Sequence, residues 1–197
     1  MIDDLLAELA TGIWALPLLF ALVFGDAFLI VVPGEAAVTA FAALSVVHGE
    51  PPIVAVVAVA GVAAFAGDAA CYAIGRTIGV DRWRWSRQPR LVALRGWARR
   101  RLTRSTAAIV FTARFIPFAR IAVNLTAGAE RVPAPRYLGL CALAAFAWAI
   151  YQSFIGAAIA HFLPDAPVAA VALSIAVALL VGWGLDVALS RRVGPDA

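Results

Sequence analysis

Lysine is absent from this chain of 197 residues, so all 16 of its basic side chains belong to arginine. Cysteine and histidine are scarce, with two of each. Cys71 and Cys141 lie in apolar runs and lack the spacing of metal ligands, so we interpret them as small apolar packing residues and expect neither a metal site nor a cofactor. The apolar runs also lack a serine–histidine pair or metal-like cluster that could supply a nucleophile and a base. An enzyme is therefore not expected.

Charged residues make up only 14% of the chain, whereas 63% is hydrophobic and the mean hydropathy is +0.91. This balance predicts an integral membrane protein of the all-α class, with a single membrane domain over residues 1–197. The length allows about four to six membrane-embedded segments. Apolar runs that could cross a bilayer lie at 12–27, 53–75, 137–160 and 166–189.

Two further apolar stretches, residues 28–47 and 107–130, contain residues that break helices. Pro33 and Gly34 interrupt the first stretch, and Pro117 interrupts the second. Gly128 is expected to allow close packing where the second stretch turns back. Because each stretch is broken before it could cross, we predict two re-entrant hairpins.

The segment 76–104 carries ten of the sixteen arginines, with three tryptophans among them. The positive-inside rule predicts that it is cytoplasmic, and its leucine spacing predicts an amphipathic helix on an anionic leaflet. A nucleic-acid-binding segment is the competing interpretation, but we expect no nucleic-acid partner because such loops usually reflect topology. Arg191 and Arg192 predict a cytoplasmic C-terminus. The two hairpins would then enter from opposite faces, as in the inverted repeats of secondary transporters.

Each broken stretch carries charges that are costly at bilayer depth. Asp26 and Glu35 flank the first break, and Arg114 and Arg120 flank the second. Four isolated charges would cost about 10 to 14 kcal/mol, so they require partners or water. We expect the two acids to face the two arginines in one cavity. A salt-bridge network that only fixes the hairpins is the alternative interpretation.

Two other polar residues are candidates for secondary roles. Asp68 lies within the span at 53–75, where it could relay protons, bridge to a neighbouring helix or cap the span. Asn124 on the second hairpin could contact a headgroup or bond to backbone groups that a proline leaves free.

These motifs resemble the signature of the DedA family of membrane proteins, also called SNARE-associated or VTT-domain proteins. The signature-like residues of the second hairpin are Phe111, Arg114, Phe115, Pro117 and Arg120, followed by Ala127 and Gly128. Pro33-Gly34-Glu35 is similar to the end of the family's first hairpin, and a motif over 67–79 is similar to the end of the next span. The resemblance covers about residues 20–160.

The resemblance implies a transporter or scramblase of lipid in the bacterial cytoplasmic membrane, acting on undecaprenyl phosphate or a phospholipid and often dependent on the proton gradient. By motif position it implies that Asp26 and Glu35 are the essential acids and that Arg114 and Arg120 are the essential arginines. The arginines would bind phosphate and the acids would bind protons. A proton-coupled antiporter of small solutes and an energy-independent scramblase remain alternatives, and a homodimer is compatible with the sequence.

Overall fold

The computed structural model describes residues 11–28, 34–78, 106–114 and 117–162, together with the single positions 8, 169, 172, 173 and 176. Over these residues the regular structure is entirely helical, which confirms the all-α class. The helices whose bounds lie within the described ranges are α1 (Ala15–Asp26), α2 (Gly34–His48), α3 (Ile53–Ile78), α4 (Thr106–Ala113), α5 (Pro117–Ala129) and α6 (Ala134–Phe162).

Two of the helices are long and apolar enough to cross a membrane. Helix α3 has 26 residues and α6 has 29. At 1.5 Å per residue they span about 39 and 44 Å, which exceeds a hydrocarbon core of about 30 Å. The long apolar helices predicted at 53–75 and 137–160 are thereby confirmed. The predicted span at 166–189 lies outside the continuously described residues, as does all of the arginine-rich segment beyond residue 78.

The first predicted span requires a correction. Helix α1 has only 12 residues, so it is about 18 Å long and too short to cross a bilayer by itself. The end of α1 and the start of α2 both lie beside the middle of α3, since Gly34 contacts Asp26 and Gly67 contacts Ala27. Helices α1 and α2 therefore pack together as a pair of short helices, which we call the first hairpin, whereas the sequence predicts a crossing span at 12–27 and a hairpin within 28–47 alone. Pro33 lies outside the described residues.

The apolar core is divided into two main clusters at successive levels along α3 and α6. The first cluster joins α1 and α2 to residues 56–64 of α3 and 145–149 of α6. The second joins α4 and α5 to Tyr72 of α3 and to residues 137–144 of α6. The two long helices thus run antiparallel through both clusters. The hairpin α1–α2 packs towards the start of α3, and the pair α4–α5 packs towards its end.

Backbone contacts fix the crossing of α3 and α5. A Cβ atom at Gly128 would overlap the carbonyl of Tyr72 and approach the amide nitrogen of Arg76 to 2.7 Å. A Cβ atom at Gly75 would likewise overlap the carbonyl of Leu125. Two glycines thus allow these helices to meet backbone against backbone, which agrees with the close packing expected at Gly128.

The turn between α5 and α6 is held at the same end of the molecule as the end of α3. Arg131 adopts a φ of 55°, and the amide of Val132 donates to the carbonyl of Ala127 at 3.0 Å, as in the left-handed closure of a helix. The hydroxyl of Tyr72 donates to the carbonyl of Val132 at 2.6 Å. This hydrogen bond connects the turn to α3.

Candidate functional site: a buried cluster of acids and arginines

Asp68 of α3 is the centre of the charged site. It is only 1% exposed, and both oxygens of its carboxylate are occupied. Arg114 Nη1 donates to Oδ2 at 2.6 Å, and Asn124 Nδ2 donates to Oδ1 at 2.8 Å. Arg120 Nε also lies 3.6 Å from Oδ1. A residue that the sequence suggested only as secondary is therefore the shared partner of both arginines.

Arg120 connects α5 to both α1 and α3. Its Nη2 atom lies 3.3 Å from Oδ2 of Asp26, at the end of α1, while its Nε faces Asp68. The amide of Gly34 donates a hydrogen bond to the carboxylate of Asp26. Because Gly34 begins α2, the positive end of that helix also favours a negative charge on Asp26. The structure thus contains the predicted ion pair between Asp26 and an arginine.

Gly34 makes this contact close. A Cβ atom at this position would lie 3.0 Å from both Cβ and Cγ of Asp26 and 3.2 Å from its Oδ2. The break between the two helices therefore places an acidic side chain directly on the start of α2. Gly34, which the sequence predicts to interrupt the hairpin, is where α2 contacts the side chain of Asp26 at the end of α1.

Arg114 is the least satisfied of the charged groups. It is 5% exposed, and its Cζ atom lies 5.5 Å from the ring centroid of Trp148. Its Nη1 is bound to Asp68, but its Nε and Nη2 have no hydrogen-bond partner among the described residues. A buried donor without a partner normally costs about 1 to 3 kcal/mol, and more when it is charged. The site therefore retains a strong unmet demand for hydrogen-bond acceptors.

Glu35 lies in the first turn of α2, next to this network, but within the described residues it makes no ion pair. The charges that act on it most strongly are those of Asp26 and Arg120. The expected pairing of both acids with both arginines is therefore present for Asp26 and absent for Glu35. When all groups are ionised, the three acids and two arginines of the site leave one negative charge in excess.

A second set of hydrogen bonds fixes the orientation of Asn124. The hydroxyl of Tyr137 donates to Asn124 Oδ1 at 2.6 Å, so the amide nitrogen is directed to Asp68. Tyr137 in turn stacks on Tyr72, with ring centroids 5.3 Å apart. Asn124 thus donates to a carboxylate and not to the backbone groups that the sequence suggested as partners. Its contact with a headgroup stays a prediction. Asn124 helps to hold Asp68 in place.

Sequence reasoning missed Tyr137 and Trp148. Both residues belong to α6, and each touches the site through a residue of the second hairpin. The signal available in the sequence was weak: Trp148 lies midway along an apolar span, whereas membrane tryptophans favour the interface. The predicted break at Pro117 coincides with the start of α5.

The fold and the site define a class of protein: a helical protein in which two long apolar helices and the shorter helices beside them bring acids and arginines together in a buried cluster. The sequence pattern of the VTT domain family matches residues 32–158. The chain therefore belongs to the VTT domain family, the domain of DedA and SNARE-associated proteins. No curated protein and no solved structure gives a significant match to the chain.

Proposed function

We propose that the protein is a multi-pass membrane transporter that binds the phosphate group of a lipid at Arg114 and moves that lipid across the bacterial cytoplasmic membrane. Helices α3 and α6 would cross the bilayer, with the two hairpins entering from opposite faces as an inverted repeat. Membership of the VTT domain family supports this plan. The positions of the two core clusters at successive levels along α3 support it as well.

The observation that carries the proposal is the pair of unpartnered donors on Arg114. The Nε–H and Nη2–H groups lie along one edge of a guanidinium and point in parallel, so together they match two oxygens of a phosphate. Asp68 holds the remaining nitrogen, Nη1, and so fixes the direction of that edge. The arrangement is thus a preoriented site for an oxyanion.

Charge balance connects phosphate binding to protons. The site already has one negative charge in excess when Asp26, Glu35 and Asp68 are ionised, and a bound phosphate group would add at least one more. At low dielectric such repulsion is costly, so uptake of protons by Asp26 and Glu35 favours phosphate binding. The lipid and the protons would then bind together, which accounts for transport driven by a proton gradient.

The membrane orientation follows from the arginines. The segment 76–104 and the C-terminus would be cytoplasmic, because positive charges remain on that side. The turn at 49–52, at the opposite end of α3, would then face outward. Undecaprenyl phosphate and phospholipids both offer the phosphate group that Arg114 is suited to bind.

The proposal is tested by lipid flipping in proteoliposomes that contain labelled undecaprenyl phosphate or labelled phospholipid. Arg114→Lys preserves the charge but removes the two-pronged edge, so we expect flipping to fall at least about tenfold while the protein still folds. The matched control is Arg136→Lys, because Arg136 is exposed at the start of α6 and lies outside the cluster. Equal activity of Arg114→Lys and the unmutated protein would contradict phosphate binding at this residue.

A pH gradient across the same vesicles separates driven transport from passive scrambling. We expect flipping to be faster with the gradient and to slow when a protonophore collapses it. The same rate in both states would leave an energy-independent scramblase as the better description. Flipping of only one of the two labelled lipids would identify the substrate.

A further inference from the structure

Helices α2 and α6 lie side by side in a register that the contacts define. A Cβ atom at Gly156 would overlap the carbonyl of Thr39, so these two positions are directly opposed. One turn further along both helices, Ala43 and Ala160 pack in a common apolar cluster. The two helices therefore run parallel. In both pairs the residue of α6 has a number 117 higher than the residue of α2 that it faces. One turn earlier, the same register opposes Glu35 to Gln152.

Gln152 and its neighbour Ser153 are buried polar residues, 5% and 2% exposed respectively. Neither Gln152 Oε1 nor Ser153 Oγ has a hydrogen-bond partner in the described part of the chain. Trp148, which lies on Arg114, is one turn before Gln152 on α6. Gln152 is thus located between the level of Arg114 and the level of Thr39. It lies beside the first turn of α2, which contains Glu35.

Thr39 does not supply the missing partner. Its hydroxyl donates within its own helix, to the carbonyl of Glu35 at 3.0 Å and to that of Ala36 at 3.1 Å. The charged groups that act on Glu35 are Asp26 on α1 and Arg120 on α5. At this level α6 offers only the uncharged Gln152 and Ser153.

The chemistry of these groups depends on one proton. An amide oxygen only accepts hydrogen bonds, and an ionised carboxylate also only accepts them, so Glu35 in its charged form cannot satisfy Gln152 Oε1. A protonated carboxyl group has an O–H that donates. Adding a proton to Glu35 would therefore satisfy the acceptor on α6 and remove the excess negative charge of the site in a single step.

We propose that Gln152 is a positioning residue that accepts a hydrogen bond from protonated Glu35, with Ser153 as a supporting partner, so that α6 responds to the protonation of α2. The inference rests on the proposed function for the role of Glu35 in proton coupling and adds the residue that detects the proton. In the charged state Glu35 would be released from α6 and exposed to Arg120. In the protonated state it would be held against α6.

The test compares thermal unfolding of the purified full-length protein at pH 5 and pH 8 for four forms: unmutated, Gln152→Met, Glu35→Gln and the double variant. Because Gln152 Oε1 can accept a hydrogen bond from Glu35 only when Glu35 carries a proton, the stabilising effect of this bond is present at low pH and is lost as the pH rises through the titration of Glu35. Gln152→Met should therefore lower the melting temperature more at pH 5 than at pH 8. In the Glu35→Gln background the loss should be the same at both pH values, since the amide of Gln donates at any pH.

A second readout is the pH dependence of lipid flipping in proteoliposomes. Loss of the acceptor in Gln152→Met makes protonation of Glu35 harder, so the midpoint should move towards acid by about 0.5 to 1 pH unit, the equivalent of one hydrogen bond. Thr126→Val is the matched control, because Thr126 is also buried with an unpartnered hydroxyl but lies on α5. It should leave the midpoint unchanged. If Gln152→Met fails to fold, Gln152→Asn should give the same pH-dependent loss, because its shorter amide does not reach Glu35.

An equal loss of stability at both pH values, with or without Glu35, would show that Gln152 only fills space and would overturn the inference. The failure of the proposed function has a different signature. In that case Arg114→Lys would flip lipid normally, while the unfolding data, which need no lipid, would still show the coupling of Glu35 with Gln152.

Discussion

The helix pairs α1–α2 and α4–α5 both bring charged residues to the buried cluster. At the level of the cluster the two pairs are held by different kinds of contact. The α4–α5 pair carries the arginines, and it is fixed to α3 by backbone contacts at Gly75 and Gly128. The α1–α2 hairpin carries the acids Asp26 and Glu35, and at the level of these acids its close glycine contacts are with side chains, Gly34 with Asp26 and Gly67 with Ala27. It meets backbone one turn further along α2, where Gly156 of α6 approaches the carbonyl of Thr39. Backbone contacts leave little freedom, whereas side chains can rotate. If the proposed function is correct, this difference fits a fixed phosphate site on the arginine side and an acidic side that adjusts to protons.

The same contrast is visible in the hydrogen bonding. Arg114 and Arg120 share Asp68, and Asn124 and Tyr137 hold Asp68 from behind. Glu35 has no ion pair among the described residues and is only partly buried. A group that must gain and lose a proton benefits from this weaker attachment, because a strong partner would fix it in one protonation state.

The largest expected effect concerns the orientation of the hairpins, because it is all or none. In a variant with Cys71 and Cys141 replaced by alanine, single cysteines are introduced at the exposed positions Glu50 and Glu130. These turns lie at opposite ends of α3, so we expect a membrane-impermeant thiol reagent to label them from opposite faces, position 50 from outside. Labelling of both from the same face would refute the opposed arrangement.

Asp68→Ala should cause the largest loss of stability. It leaves Arg114 without its only ion-pair partner among the described residues and Arg120 with Asp26 alone. Breaking a buried ion pair in this way costs about 3 to 5 kcal/mol of unfolding free energy. Asp26→Ala is the comparison in the first hairpin and should cost only about 1 kcal/mol, since Arg120 keeps Asp68. Unfolding in detergent measures both, and similar losses would contradict the central place of Asp68.

Gly128→Ala and Gly34→Ala compare the two kinds of contact directly. At Gly128 the added methyl group meets backbone, which cannot rotate away, so we expect a loss of about 1 to 3 kcal/mol. At Gly34 it meets the side chain of Asp26 at 3.0 Å, which can shift by a few tenths of an ångström. We expect a loss of under about 1 kcal/mol there. Denaturant titration of both variants checks the order, and a larger loss at Gly34 would reverse the comparison.

Glu35→Gln should have the smallest effect on stability and a specific effect on function. Its amide resembles the protonated acid and is near in shape, so the unfolding free energy should change by less than about 1 kcal/mol. Flipping in proteoliposomes should continue but should no longer respond to an imposed pH gradient. Arg136→Lys serves again as the control that keeps the response. A full response in Glu35→Gln would exclude Glu35 from the coupling.

Much of the site was predictable from the sequence because charges in apolar runs require partners. Arg114, Arg120 and Asp26 were expected together, and the structure brings them together. Glu35 was expected in an ion pair and has none within the described residues. The sequence could not show that Asp68 is more central to the site than Glu35. An acid that relays protons, bridges to another helix or caps the span would have the same neighbouring residues. Only the contacts of Asp68 with Arg114 and Asn124, which lie 46 and 56 positions later in the chain, decide between these roles.

The sequence by itself determined the helical class, the two long apolar helices and the presence of costly charges beside helix breaks. It did not determine where the first hairpin begins, because a short apolar arm and a crossing span have the same hydropathy. Only the tertiary structure decided that α1 ends at the level of Gly67, and that Gly156 stands opposite Thr39. The physical reason is that register between helices depends on where backbones can approach. Glycines such as Gly34, Gly128 and Gly156 set that approach, and their partners lie far away along the chain.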